Sequence, residues 1–324
     1  MNSTVKLYSS NIEFNVAEDN TILDSALENK IMLEHSCKNG SCGLCESEVM
    51  AGYVLDSKCQ QLGVGEKFLT CQCTAGSEQL TIKAEYYPEL AEQVRKLVPC
   101  KVSAVELRGD FLTLKFRLPP TAQFNYLPGQ FVNLIYQGIT RSYSIANADV
   151  KRGIELHIRR IDNGAMSNLL FAGVKPETLM RLDGPIGTFF VRKDTHPIIF
   201  LAGGTGFAPV QAMVEQLIAQ GSERSIHIYW GMNHSQDFYT KQPNQWASQH
   251  SNIRFVPVVS GDDANWTGRT GFVHQAVLQD LTDLHQYCVY ACGSPVMIAA
   301  AKDDFIEQGL TSKQFFSDAF TVSK

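Results

Sequence analysis

The 324-residue chain has no run of about 18 apolar residues, so it lacks a segment able to cross a bilayer as a helix. It has no Lys/Arg run and a formal charge of −5, which argues against a nucleic-acid partner. The opening Met1-Asn2-Ser3-Thr4-Val5-Lys6-Leu7-Tyr8 alternates like a strand and lacks the charged, apolar, small-residue order of a secretion signal. A cytoplasmic location is the expectation. The eight histidines show no metal-ligand spacing, and nine cysteines are an odd number for a disulfide framework. What is present is 44% hydrophobic residues, enough over this length for two or three cored domains.

The cysteines concentrate in one place. Ser36-Cys37-Lys38-Asn39-Gly40-Ser41-Cys42-Gly43-Leu44-Cys45-Glu46 sets three of them as C-x4-C-x2-C, and Cys71 follows in Leu69-Thr70-Cys71-Gln72. This spacing matches the plant-type ligand set of a [2Fe–2S] cluster, with Cys37, Cys42, Cys45 and Cys71 as ligands. Gly40, Ser41 and Gly43 let the backbone wrap closely with its N–H groups toward sulfur. Structural zinc would want two C-x2-C knuckles or His partners, and one knuckle is present. Cys73 is the alternative fourth ligand, because strand alternation would put 71 and 73 on one face; the residues around Cys71 favour it. Cys59, Cys73, Cys100 and Cys288 are expected to pack as small hydrophobes or sit free.

Along the chain, residues 5–8 and 12–16 read as strands, 21–30 as a helix, and 47–50, 52–55 and 79–83 as strands. This is the layout of a β-grasp ferredoxin domain, 1–86. Residues 87–99, with Pro88 and Pro99, read as a linker with room for a short helix over 89–97. Over 100–192, short strands at 101–107, 111–118, 130–135, 141–145 and 154–160 predict an antiparallel β-barrel domain. Over 193–324, strands alternating with helices predict a doubly wound parallel sheet. The fold class is multidomain, α+β and α/β.

Arg141-Ser142-Tyr143-Ser144 resembles the R-x-Y-S/T motif of the ferredoxin–NAD(P) reductase superfamily, and Leu127-Pro128-Gly129-Gln130-Phe131 resembles its P-G-Q strand entry. The resemblance implies a flavin site in the barrel. Arg141 would hold a flavin phosphate by a two-pronged contact. Tyr143 would lie against the flavin or ribityl, and Ser144 would reach the N5 edge, with Ser142 between them. Gly164-Ala165-Met166-Ser167 follows, with Ser167 read as a helix start. In the superfamily this G-x-x-S turn receives the flavin pyrophosphate, which implies FAD over FMN.

Ile198-Ile199-Phe200-Leu201-Ala202 suits a strand buried on both faces. Gly203-Gly204-Thr205-Gly206-Phe207-Ala208-Pro209 turns from it into a helix, as at a dinucleotide pyrophosphate site. Pro209 stands where a third glycine would be, as in the G-G-T-G-x-A-P version of the same superfamily. Cys292-Gly293-Ser294-Pro295 resembles its C-G-x-P motif, which implies Cys292 beside the nicotinamide carbon that gives up hydride. The stretch 231–237 has no Arg or Lys to bind a 2′-phosphate, and Asp237 would repel one, so NADH is favoured over NADPH. Near the end, Phe320 is the candidate flavin-shielding aromatic and Asp318 would face Cys292; Phe315 and Phe316 read as core.

Across nearly its whole length the chain resembles iron–sulfur flavoprotein reductases with an N-terminal ferredoxin domain. Segments 141–147, 227–232, 257–263, 271–277 and 316–320 resemble the CDP-6-deoxy-Δ3,4-glucoseen reductase family. That resemblance implies electron flow from NADH through FAD and the [2Fe–2S] cluster to a pyridoxamine phosphate-dependent iron–sulfur sugar dehydrase. The pathway implied is 3,6-dideoxyhexose synthesis, which supplies lipopolysaccharide O-antigen sugars. The reductase component of an aromatic-ring dioxygenase or multicomponent monooxygenase would use the same sites, and a redox-sensing module without turnover is a third reading.

Overall fold

The computed structural model describes residues 3–8, 10–35, 38–40, 43–58, 60–90 and 93–320, which form two compact units, Met1–Val94 and Arg95–Lys324. Cys37, Cys42, Ser41 and Cys59 lie outside the described residues.

The first unit contains β1 (Ser3–Leu7), β2 (Glu13–Val16), α1 (Ile22–Glu28), β3 (Glu46–Ala51), β4 (Val54–Leu55), β5 (Gln61–Leu62), β6 (Lys67–Leu69), β7 (Thr74–Ala75) and β8 (Gln79–Lys83). A five-stranded sheet, ordered β2-β1-β8-β3-β6, carries α1 on one face, and β5-β4-β7 form a small second sheet. Val5, Leu7, Phe14 and Val16 alternate inward against Ile22, Leu23 and Ala26 of α1. Thr21 caps that helix by accepting from Asp24 N–H. This is the β-grasp arrangement.

The second unit begins with β9 (Lys96–Arg108), β10 (Phe111–Arg117), β11 (Phe131–Tyr136), β12 (Ile139–Ser144), β13 (Ile154–Arg159), α2 (Ala165–Phe171) and β14 (Leu179–Ile186). Their antiparallel order β12-β11-β14-β9-β10-β13 closes through an Ile145–Leu156 bridge into a barrel. One expectation fails here. Among the described residues of 89–97 there is no α-helix: a 3-10 turn spans Pro88–Leu90, and β9 starts at Lys96. Pro99 disfavours helix just before it, and Val98 instead pairs with Leu182. Asp183, Gly184 and Pro185 lie within β14, between β11 and β9 in the sheet order.

The rest is a parallel sheet of β15 (Ile198–Gly203), β16 (Ile226–Met232), β17 (Ile253–Val259), β18 (Arg269–Thr270), β19 (Cys288–Gly293) and β20 (Phe315–Ala319). Helices α3 (Phe207–Ala219), α4 (Gln242–Gln249), α5 (Val273–Asp280) and α6 (Pro295–Glu307) cover it. The order β18-β17-β16-β15-β19-β20 reverses at β15, whose carboxyl end is therefore the crevice where open α/β sheets bind ligands. Alternation splits the core in two. Phe200, Ile228, Trp230 and Tyr290 face α3, while Leu201, Tyr229, Val258 and Val289 face α5 and α6.

Candidate active site

In the first unit, Cys45 Sγ lies 3.2 Å from Cys71 Sγ, and both are buried. That is too long for a disulfide of about 2.05 Å. It suits two ligands of one metal, since metal–sulfur bonds of about 2.3 Å bring such sulfurs within about 4 Å. Burial pushes the Cys45 thiol up to about 12, so a neighbouring cation is needed to hold it as thiolate. The Gln72 side-chain amide donates to the Cys71 carbonyl at 2.9 Å and reaches its sulfur at 3.6 Å. Gly40, in the left-handed region at φ 81°, leaves room for that side chain: a Cβ there would meet Gln72 Cγ at 3.1 Å. The donor set fits an iron–sulfur cluster.

Residues 70–72 form a turn, with Gln72 N–H donating to the Leu69 carbonyl. Strand alternation therefore does not bring Cys73 onto the face of Cys71. Cys73 packs in the core under α1, its carbonyl accepting from Ile22 N–H. Cys100 and Cys288 are buried in the cores of the second unit.

In the barrel, the hairpin of β11 and β12 carries the flavin motif. Alternation puts Arg141 and Tyr143 on one face and Ser142 and Ser144 on the other. Tyr143 is half-buried against the barrel core, and burial pushes its hydroxyl up to about 12. Arg141 is partly exposed, and its Nη1 donates to the Thr140 carbonyl. Ser144, buried, ends β12 opposite Phe131. Gln130 pins the strand entry, accepting from Leu127 N–H and donating to the Gly187 carbonyl.

Helix α2 packs beside β12 and begins two residues earlier than expected. Gly164 is the N-cap, Ser167 lies in the first turn, and its Oγ accepts from Ile161 N–H at 2.9 Å. Met166 buries its side chain in the barrel core. The sequence reading missed a chain of bonds behind Ser142. Its Oγ donates to Asn133 Oδ1 at 2.8 Å, Asn133 Nδ2 donates to Asp183, and Arg95 grips Asp183 through two nitrogens. Partners 50 and 88 residues apart leave no local signal.

At the carboxyl ends of β15 and β19, Gly203, Gly206, Cys292 and Gly293 pack together. A Cβ on Gly206 would stand 2.2 Å from the Cys292 carbonyl oxygen, so only glycine fits. Gly204 has φ +57°, and a Cβ there would meet nothing within 4 Å, so the turn is open above it. Thr205 lies between them in the same turn, and Pro209 sits buried in the first turn of α3.

Asp318 pairs with Cys292 across β19 and β20, and the Phe320 N–H donates to the Gly293 carbonyl. Burial raises Asp318 to about 6, and burial with Asp318 nearby raises Cys292 well above an ordinary thiol. Phe316 stacks on Tyr290 under Arg192, and Phe315 is buried beneath α6. Asp237 caps its own short turn, accepting from His234 N–H, and Asp263 accepts from the neighbouring Ser235 N–H.

Three family models match the chain: a 2Fe-2S iron-sulfur cluster binding domain over residues 5–76, an oxidoreductase FAD-binding domain over 100–191, and an oxidoreductase NAD-binding domain over 200–303. It is 56% identical to Protein RfbI of Salmonella typhimurium, covering 100% of this chain and 98% of that one. It is 50% identical to the CDP-6-deoxy-L-threo-D-glycero-4-hexulose-3-dehydrase reductase of Yersinia pestis, with 100% of both chains covered. The chain belongs to the iron–sulfur flavoprotein reductases of this kind. Among solved structures, the ferredoxin reductase in carbazole 1,9a-dioxygenase is similar at 28% identity, with 99% of both chains covered and a TM-score of 0.69.

As a member of these reductases, the chain is an oxidoreductase whose cofactors are FAD, a [2Fe–2S] cluster and NAD(H). Relatives of this kind serve as reductases for partner proteins, a dehydrase or an oxygenase. Among the described residues, no helix is long and apolar enough to cross a membrane.

Proposed function

We propose that the chain draws electrons from NADH and delivers them to a pyridoxamine phosphate-dependent iron–sulfur dehydrase acting on CDP-4-keto-6-deoxyglucose in 3,6-dideoxyhexose synthesis. The observation that carries this reading is full-length identity of 50% to the Yersinia dehydrase reductase, against 28% for the carbazole dioxygenase reductase. When bound, FAD would take two electrons from NADH as a single hydride and release them singly to the cluster, which would hand them one at a time to the partner.

The residues divide that work. Gly203, Gly204, Thr205, Gly206 and Pro209 hold the dinucleotide pyrophosphate, and Gly293 leaves room beside it. Cys292 and Asp318 wall the place where the nicotinamide lies, and Phe320 covers the flavin until the nicotinamide arrives. Arg141 and Tyr143 grip the flavin from one face of β12, and Ser144 ends that strand at the N5 edge. The first turn of α2, from Gly164 through Met166 to Ser167, meets the flavin pyrophosphate with its backbone. Cys37, Cys42, Cys45 and Cys71 hold the iron. Asp237, with no cation in its stretch, selects NADH over NADPH.

The test is reconstitution. The holoprotein, NADH, the dehydrase and CDP-4-keto-6-deoxyglucose should yield a 3-deoxy sugar. No sugar product, with brisk turnover beside an oxygenase component, would reassign the partner. An absorbance spectrum unchanged by NADH under anaerobic conditions would remove the enzyme reading altogether.

A further inference from the structure

Trp230 has no part in the reading above, and it occupies an unusual place. It is wholly buried at the end of β16, beside the strand that carries the glycine turn. Its indole Nε1–H donates to the Gly204 carbonyl at 2.9 Å. Its ring stacks on Phe207, the first residue of α3, with centroids 4.2 Å apart and planes 18° from parallel. Phe238 and Tyr239 meet the indole edge-on, each at 5.1 Å.

Tyr239 in turn ties this aromatic column to the barrel. It stacks on Phe111 at 4.8 Å, its hydroxyl lies 3.1 Å from His157 Nδ1, and its carbonyl accepts from Arg108. The indole is therefore fixed from both lobes of the unit and has no freedom to follow a shifting turn.

A trans peptide points its C=O and the next N–H in opposite directions. The Gly204–Thr205 peptide is trans, since the one cis bond among the described residues is Gly184–Pro185. Holding the Gly204 carbonyl inward on the indole therefore turns the Thr205 N–H outward, to the open side of the turn. The same carbonyl also accepts from the Phe207 N–H at the start of α3, so the indole is the side-chain half of a two-donor clamp on a glycine that otherwise populates several backbone regions.

We infer that Trp230 is a positioning residue of the dinucleotide site: its indole N–H locks the Gly204 peptide so that the Thr205 N–H is presented to the NADH pyrophosphate. The inference rests on NADH being the electron donor.

Trp230→Phe keeps the stack on Phe207 and removes the donor. In the full-length holoprotein, the NADH concentration for half-maximal flavin reduction should rise roughly three- to tenfold, the scale of one lost hydrogen bond. The limiting rate at saturating NADH, measured by anaerobic stopped flow, should stay within about twofold. Trp246→Phe is the control, since Trp246 also packs near Phe207, its ring centroid 6.3 Å away. It should leave the half-saturation unchanged. Should Trp230→Phe not fold, 3-benzothienylalanine at the same position keeps the ring shape without the N–H and carries the same test. An unchanged half-saturation, or a limiting rate that falls as far as affinity does, overturns the inference. A wild-type flavin that NADH leaves oxidised overturns the donor assignment instead.

Discussion

The two units reach their chemistry by opposite routes. Residues 1–94 carry six lysines, fourteen carboxylates and no arginine, so they offer no guanidinium fork for a phosphate. All twelve arginines lie in residues 95–324, where two phosphate-bearing cofactors bind. The first unit assembles its site from one loop and one turn, with ligands set by short spacing. The second assembles its sites from strand ends: Gly206 against Cys292, and Asp318 against Cys292. A loop site depends on side chains that can be exchanged, whereas a strand-end site depends on how closely two backbones approach. The two should fail differently.

The largest effect expected is from Cys45→Ser. Loss of a thiolate from the buried Cys45–Cys71 pair should prevent cluster assembly, seen as missing visible absorbance and iron. NADH-driven reduction of cytochrome c, which draws on the cluster, should fall more than about 100-fold. NADH-driven reduction of ferricyanide should persist, because it needs the flavin alone. Loss of both activities together would mean that the two units are not separable in this way.

Gly206→Val should give the mirror image. Its Cβ would stand 2.2 Å from the Cys292 carbonyl oxygen, so the turn after β15 must move away from β19, at the point where the proposed function aligns nicotinamide with flavin. A displacement of about 1 Å at such a site costs on the order of 100-fold in rate. Ferricyanide and cytochrome c reduction should both fall to that extent, with iron content and cluster absorbance retained. Normal flavin reduction in this variant would show that the close approach is not needed for alignment.

What the sequence reveals follows the same division. The Cys37–Cys45 spacing and Gly-Gly-Thr-Gly are legible because each motif lies within a dozen residues. Strands β1 and β2 and helix α1 are legible for the same local reason, through alternation and helical spacing. Illegible were features that need partners far along the chain. Asn133, Asp183 and Arg95 behind Ser142 look like ordinary surface polar residues until β9, β11 and β14 meet. Trp230 reads as one more core aromatic, and only the fold shows its N–H on Gly204. Helix α2 starting at Ala165, not at Ser167, and the replacement of a helix at 89–97 by the start of β9 are boundary matters decided by tertiary pairing.

A smaller effect separates the units by pH. Asp318 is buried and raised by that burial to about 6, from an ordinary 3.8. In the unfolded chain the carboxyl ionises first, so between these values unfolding releases a proton that the folded state keeps. The group's favourable contribution is full below 3.8 and is lost as pH rises through about 6. A shift of about two units corresponds to about 3 kcal/mol at pH 8, and roughly half of that at pH 5. Asp318→Asn has no such dependence. Its urea midpoint for flavin release should exceed that of the wild type by more at pH 8 than at pH 5, while the midpoint for loss of cluster absorbance stays where it was. A difference equal at both pH values would show that Asp318 is not held protonated by its burial beside Cys292. A shift in the cluster midpoint would show that the two units unfold as one.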